Sequence, residues 1–266
     1  SLKKFGIEQT FRYIYKNPET NMRKLMDWAD TFDKDNCFPA QRKAIREAVE
    51  DPDHPYHEYI LHMFRDIDPN VMATLGSNFF INANLVSGPI QDKLREKYNC
   101  NIPWAILMDP TSACNLHCIG CWAAEYGNKL NLTYEELDSI IRQGKELGIY
   151  MYLYTGGEPL VRKADLIRLC ENHKDCVFSS FTNGTLIDDD FCREVQKVGN
   201  ISFAISIEGT EETTDDRRGA GVYQKVMAAF DKLHEYGLLY GVSVCYTSKN
   251  YKAVTTDEFL NNLVDH

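Results

Sequence analysis

The chain has 266 residues, enough for one large domain or two smaller ones. Hydrophobic residues make up 44% of it and charged residues 26%, which is the composition of a globular protein with a substantial core. Its formal net charge of −10 argues against a nucleic-acid-binding surface as its main role.

The first residues, SLKKFGIEQTF, lack the apolar centre and small-residue cleavage site of a secretory signal peptide. No run approaches the roughly 18 apolar residues of a membrane helix, so we expect a cytoplasmic protein without a membrane span. An odd number of cysteines without a secretion signal argues against a disulfide framework. The nine are Cys37, Cys100, Cys114, Cys118, Cys121, Cys170, Cys176, Cys192 and Cys245.

Apolar residues recur at helical spacing through the N-terminal part of the chain. The first such stripe consists of Met22, Leu25, Met26, Ala29 and Phe32. Further stripes lie at 44–49, 59–64 and 71–86, and acidic turns separate them. Because this part carries no catalytic motif, we predict that residues 1–101 form a helical extension packed on the main domain.

From Ile102 onward, short apolar runs alternate with helical patterns. The predicted strands are 104–109, 150–155, 176–182, 201–208 and 240–247. Thr133 and Glu136 form a capping box at the start of the first intervening helix, and a fifth helix is predicted to begin near Thr255. Repeated β/α units predict an α/β fold with a parallel sheet, either open or closing into a barrel, over residues 102–266.

Each predicted strand is followed by an unusual motif. In chain order, these motifs are CNLHCIGC, GGEPL, TNGT, SIEGT and CYTSKN. In barrels of this class the chemistry lies on the loops after the carboxyl ends of the strands. We therefore predict that all five motifs surround one site.

Three cysteines, Cys114, Cys118 and Cys121, form a C-x₃-C-x₂-C pattern. Three thiolates would leave one iron of a four-iron cluster open to an external ligand. A zinc site with His117 or a distant cysteine as its fourth ligand is the alternative, and spacing alone does not exclude it.

Together, the C-x₃-C-x₂-C pattern, the GGEP motif after the second strand and the repeated β/α units resemble the radical S-adenosylmethionine (SAM) superfamily. The resemblance covers 102–266, and the segment around the cysteines is similar to hopanoid-biosynthesis enzymes and peptide-modifying maturases. It implies a partial (β/α) barrel of which this chain holds five of six strands. We therefore expect the natural protein to continue beyond His266.

The resemblance implies two cofactors, a 4Fe–4S cluster on Cys114, Cys118 and Cys121, and SAM. It implies that the loop Gly156, Gly157, Glu158 and Pro159 binds the SAM amino group through backbone carbonyls and the Glu158 carboxylate. The sequence departs from the family in one place: Gly120 stands where an aromatic residue is usual before the third cysteine. The aromatic residue that follows, Trp122, becomes the candidate contact for the SAM adenine.

Further candidate cofactor contacts are Thr182 and Asn183, which would orient polar groups of SAM or substrate, and Ser206 and Glu208 at the end of the fourth strand. The resemblance adds Arg218, in the Arg-Gly that follows the fourth strand in many relatives. Ser206 and Glu208 occupy alternate strand positions, so both side chains point to one face, where a carboxylate can accept from ribose hydroxyls. Arg218 is preferred to Arg217 as a clamp for the SAM carboxylate because it directly precedes Gly219. A plain turn, a solvated strand end and a surface charge run remain the respective alternatives.

By the same resemblance, the reduced cluster passes one electron to SAM, and the resulting 5′-deoxyadenosyl radical abstracts a hydrogen atom from the substrate. A flavodoxin- or ferredoxin-type protein would donate the electron. The catalytic residues and the substrate cannot be read from the sequence; peptide modification is favoured over a lipid or a small metabolite. The alternative is a non-catalytic binding or regulatory protein on the same fold.

Overall fold

The structure is a computed structural model that describes residues 9–10, 12–32 and 39–265. Cys37 and the side chains of Ala29 and Phe32 lie outside the described residues. The N-terminal part is helical, as predicted. Its helices are α1 (Pro18–Phe32), α2 (Pro39–Glu50), α3 (His57–Asp66), α4 (Pro69–Ser77), a π-helix (Asn78–Val86) and α5 (Ser87–Tyr98).

These helices belong to two apolar clusters. Ile14, Met22, Val49 and Leu61 form a small cluster among the first helices. Val71 of α4 instead joins the large core beneath the sheet. The π-helix is hydrogen-bonded to the segment before β3: Asn78 Nδ2 donates to the carbonyl oxygens of Lys174 and Cys176, at 2.9 Å each. The helices from Pro69 onward therefore pack directly under the sheet.

Five parallel strands form one sheet in the order of the chain. The strands are β1 (Ala105–Thr111), β2 (Met151–Gly156), β3 (Val177–Thr182), β4 (Ile201–Ile207) and β5 (Tyr240–Val244). All five predicted strands are present, and the α/β class is confirmed. The sheet is not closed: β1 and β5 are its two edges.

Helices connect the strands. The longer ones are α6 (Tyr134–Glu146), α7 (Lys163–Asn172), α8 (Asp189–Val198), α9 (Glu211–Arg218), α10 (Val222–Glu235) and α12 (Asp257–Asp265), and α11 (Tyr251–Val254) is a single turn. Two 3₁₀ helices, Trp122–Tyr126 and Pro159–Arg162, lie in the loops after β1 and β2. Thr133 and Glu136 form the predicted capping box. The sequence analysis did not predict α9, because its residues, EETTDDRR, carry no apolar stripe.

The two faces of the sheet differ in burial. Along β4, the isoleucines and Phe203 are buried against helices, whereas Ser202, Ala204 and Ser206 are half-buried on the other face. This alternation leaves a concave face lined by small side chains, open for a ligand. Among the described residues, no helix is long and apolar enough to cross a membrane.

Asn200, directly before β4, links the start of that strand to the end of α7 and the start of β3. It is fully buried, and its Nδ2 donates to the carbonyl oxygens of Cys170, His173 and Cys176 at 3.1–3.2 Å.

We expect Asn200→Ala to lower the free energy of unfolding by about 2 kcal/mol, because it removes the donor for these buried carbonyls. Urea denaturation measures this. Asn172→Ala, which removes an exposed amide, is the control; equal losses in both variants would contradict the prediction.

Candidate functional site

The three predicted ligand cysteines lie around one cavity. Cys114, Cys118 and Cys121 line a space of about 160 Å³ at the carboxyl end of β1, together with His117. Each is partly buried and none is in a disulfide. In the described parts of the chain, no three His, Cys, Asp or Glu side chains converge on a point where they could hold a single metal ion.

The chemistry of these donors fits an iron–sulfur group. Thiolates are the usual ligands of iron–sulfur clusters, and here three of them share one cavity. Burial raises the pKa of the Cys118 thiol, while the positive charges of Arg218 and Arg217 act in the opposite direction. The two guanidinium groups therefore favour the thiolate form that ligation needs.

The cysteine loop is fixed by the GGEP loop. Gly157 N donates to Thr111 O at 2.9 Å, and Glu158 N donates to Ala113 O at 2.8 Å. A Cβ atom on Gly157 would lie 2.2 Å from Ala113 O, and Gly156 has a φ of +105°. Glycine is therefore required at both positions, because any side chain would push the two loops apart or strain the backbone.

Glu158 joins the GGEP loop to the loop after β3. The carboxylate is buried, with Oε1 accepting from Thr182 Oγ1 at 2.7 Å and Oε2 accepting from Asn183 N at 2.7 Å. Oε1 also accepts from Leu160 N, and Pro159 is buried at the start of the 3₁₀ helix. Burial raises the pKa of Glu158, and these hydrogen bonds lower it in part. The structure thus brings the predicted GGEP and Thr182–Asn183 residues together.

Asn115, between the first two cysteines, is a positioning residue that the sequence analysis missed. Its Oδ1 accepts from Asn183 Nδ2 and its Nδ2 donates to Thr185 Oγ1, both at 2.8 Å. On the other side of the loop, Ile119 N donates to Arg217 O at 2.8 Å. The cysteine loop is therefore held by the loops after β2, β3 and β4. In the sequence, the only signal for the role of Asn115 is its position next to Cys114.

Glu208, directly after β4, carries an unusual pair of partners. It is fully buried, and its Oε1 accepts from Arg217 Nη1 and from Arg218 Nε and Nη2, the last two at 2.9 and 2.6 Å. Its Oε2 is buried and has no hydrogen-bond partner among the residues that the structure describes. The sequence analysis chose Arg218 over Arg217. In the structure, both guanidinium groups bind the same carboxylate.

A second cavity of about 490 Å³ lies over Glu208, and Ile119, Arg217 and Asn250 line it as well. Asn250 ties β4 to β5, because its Nδ2 donates to Glu208 O at 3.1 Å and to Cys245 O at 2.9 Å. Asn250 is the last residue of the CYTSKN motif, which the sequence analysis predicted to lie at the site.

Two predicted residues remain, Ser206 and Trp122. Ser206 is half-buried on the concave face of β4. Trp122 lines a third cavity, of about 780 Å³, beside β1. The structure therefore does not bring Trp122 together with Glu208 and Ile119.

Comparison with known proteins agrees with this fold. The model of the radical SAM superfamily matches residues 108–260, which is more than half of the chain. The chain therefore belongs to the radical SAM superfamily, as the sequence predicted, and its relatives are enzymes. The likeness to hopanoid-biosynthesis enzymes stays a prediction.

Two curated relatives illustrate the range of the family. The chain is 30% identical over 158 residues to Fe-coproporphyrin III synthase of Methanosarcina barkeri, covering 56% of this chain and 38% of the relative. It is 30% identical over 157 residues to a serine-type anaerobic sulfatase-maturating enzyme of Klebsiella aerogenes, covering 51% and 38%. The matches thus span less than half the length of these relatives.

Among solved structures, Streptococcus suis SuiB bound to precursor peptide SuiA superimposes with a TM-score of 0.56 at 20% identity. The match covers 67% of this chain and 40% of SuiB. At this identity, the likeness shows the fold alone.

Gly157→Ala tests the close approach of the two loops. We expect it to lower the melting temperature by several degrees and to reduce iron incorporation, because the new Cβ would collide with Ala113 O. Gly241→Ala in β5 is the matched control, since a Cβ there meets nothing within 4 Å. The two quantities are measured by thermal unfolding and by iron analysis after reconstitution. A Gly157→Ala protein as stable and iron-loaded as Gly241→Ala would refute the close-approach argument.

Glu158 should give the protein a characteristic pH dependence. Its pKa is raised from 4.5 on folding, so the folded state binds the proton more tightly than the unfolded state. The stability of the wild type relative to Glu158→Gln should therefore fall as pH rises above about 4.5. Urea denaturation across a pH series measures this difference.

Glu136 provides a control of opposite sign. The capping bonds from Thr133 lower its pKa in the folded state. The stability of the wild type relative to Glu136→Gln should therefore rise with pH through the range of a free glutamate. If the stability difference from the wild type changed with pH in the same direction for both variants, the raised pKa of Glu158 would be contradicted.

Proposed function

We propose that this chain is the catalytic core of an enzyme that reductively cleaves SAM at a 4Fe–4S cluster and abstracts a hydrogen atom from a substrate. The observation that carries the proposal is the meeting of three cysteines around one cavity, on a loop hydrogen-bonded to the GGEP backbone. Cys114, Cys118 and Cys121 would hold three of the four irons. The fourth iron stays open to SAM.

When bound, the cluster would supply the electron that breaks the sulfonium bond of SAM, giving methionine and the 5′-deoxyadenosyl radical that takes a substrate hydrogen. The GGEP loop would bind the SAM ammonium group. Oε2 of Glu158 accepts one hydrogen bond, from Asn183 N, and a carboxylate oxygen can accept a second. Thr182 and Asn183 hold this carboxylate in place.

Glu208 would bind the ribose of SAM. Its Oε2 is a buried acceptor without a donor, and such an atom is costly unless a ligand satisfies it. Ribose hydroxyls are suitable donors, and Ser206 lies on the same face of β4. Arg217 and Arg218 hold Glu208 in place through hydrogen bonds to Oε1, and Arg218 would also reach the SAM carboxylate. The contact of Trp122 with the SAM adenine stays a prediction; Trp122 lines the third cavity together with Gly156 and Gly157 of the GGEP loop.

The domain division and the substrate are proposals as well. We propose that residues 1–101 are a helical extension and that residues 102–266 are the radical SAM core. A peptide substrate is favoured, because one relative is named as a sulfatase-maturating enzyme; the tetrapyrrole synthase among the relatives makes a tetrapyrrole the competing class. A flavodoxin- or ferredoxin-type donor in the cytoplasm would reduce the cluster.

Anaerobic reconstitution with iron and sulfide tests the proposed reaction. With dithionite and SAM, the wild type should form 5′-deoxyadenosine, measured by chromatography. Alanine variants of Cys114, Cys118 and Cys121 should lose both the cluster and this product. Cys100→Ala is the control, because Cys100 is exposed and does not line the cysteine cavity.

Two results would count against the proposal. An intact cluster without 5′-deoxyadenosine would favour the non-catalytic alternative. A stoichiometric zinc content without iron would overturn the cluster itself.

A further inference from the structure

Asp109 lies near the end of β1, within a β-bulge that sets the orientation of its side chain. Met108 pairs with Tyr154, and Thr111 pairs with Gly156. Between these two pairs β1 advances by three residues and β2 by two, so β1 contains one extra residue. Bulges of this kind re-aim a side chain and are common beside active sites. The result is that Asp109 lies against the GGEP loop: its Cβ and Cγ are 3.0 and 3.2 Å from where a Cβ on Gly156 would stand.

The Asp109 carboxylate has no charge partner. Its pKa is raised by burial alone, without a contribution from any hydrogen bond or cation. Within residues 9–10, 12–32 and 39–265, no donor to it is recorded. Asp109 is exposed on the wall of the cavity beside β1, and a cation that reaches it would stabilise its charged form.

Two aromatic rings face the same cavity. Trp122 and Tyr126, on the 3₁₀ helix after Cys121, are in edge-to-face contact with ring centroids 5.8 Å apart. They line the cavity with Asp109, yet they are 54% and 57% exposed. Exposed aromatic faces next to a carboxylate form the usual environment for an organic cation.

This third cavity adjoins the cysteine cavity. The two share Ser112, Ala123 and Gly157 among their lining residues. A group bound at Asp109 would therefore lie next to the proposed site of radical formation. The other charged lining residue is Lys129, which is exposed and precedes Leu130, whose backbone accepts from Ser112 N.

We propose that this cavity binds a primary ammonium or guanidinium group of the substrate, with Asp109 as its charge partner and Trp122 and Tyr126 as its aromatic walls. The proposal rests on the proposed function, since it concerns the substrate of that same site. A charge-assisted hydrogen bond to Asp109 would fix the cation near the bulge. Lys129, the other charged residue of the lining, would repel a cation.

Anaerobic equilibrium dialysis with the cluster-loaded protein tests this assignment. The probes are N-acetyl-lysine methylamide and N-acetyl-norleucine methylamide, which differ in their terminal charge. The wild type should bind the lysine probe about tenfold more tightly, from one charge-assisted bond. Asp109→Asn should abolish this difference, and Lys129→Gln should strengthen binding of the lysine probe. Asp92→Asn is the control: Asp92 forms an exposed ion pair with Arg95, and this variant should bind both probes as the wild type does.

A further arm distinguishes substrate from SAM, whose methionine part also carries an ammonium group. The lysine probe should still bind when SAM is saturating. Displacement by SAM would mean that Asp109 serves the cofactor, and it would overturn the proposal. Equal binding of the two probes, or an unchanged preference in Asp109→Asn, would overturn it too.

The dialysis needs neither reductant nor turnover. A wild type that forms 5′-deoxyadenosine but does not distinguish the probes defeats the cation site alone. A wild type that distinguishes them but forms no product defeats the proposed reaction instead.

Discussion

The close packing of Gly157 against Ala113 is the contact on which the site depends. Because a Cβ at Gly157 would lie 2.2 Å from the Ala113 carbonyl oxygen, the backbones of the two loops can touch only through glycine. That contact aligns Gly157 N and Glu158 N with Thr111 O and Ala113 O. The segment leading into Cys114 is thereby fixed, and the cysteine cavity takes its shape from it.

Two buried carboxylates extend this arrangement around the rim of the sheet. Glu158 joins the loops after β2 and β3, and Glu208 joins β4 to the arginines of α9. A buried carboxylate is costly unless donors surround it, so each one holds its neighbouring loops in place. Since Ile119 N binds Arg217 O, the charge cluster of Glu208 is also coupled to the cysteine loop. We infer that the rim is preorganised for a polar, charged cofactor.

Particular residues show how far the sequence predicts this molecule. The five strands follow from their apolar runs, and the helix at Thr133 follows from its capping box, because both signals are local. Helix α9 was missed because its sequence is polar throughout and its stability comes from the Thr210 cap and from contacts with α10. Trp122 was assigned to SAM from its place beside Cys121. The chain turns at Gly120, with a φ of +69°, and Trp122 lines the cavity beside β1, so that its contact with SAM stays a prediction.

The sequence by itself determined the fold class, the order of the strands and the three thiols with their GGEP partner loop. These depend on residue type and spacing along the chain. The tertiary structure alone decided which side chains meet: that Glu208 takes both arginines and keeps one oxygen free, and that Asp109 stands unpaired at a bulge. Glu208 meets the arginines where the chain passes from β4 into α9, and the place of Asp109 is set by the register shift between β1 and β2. Neither arrangement leaves a periodic signal in the sequence.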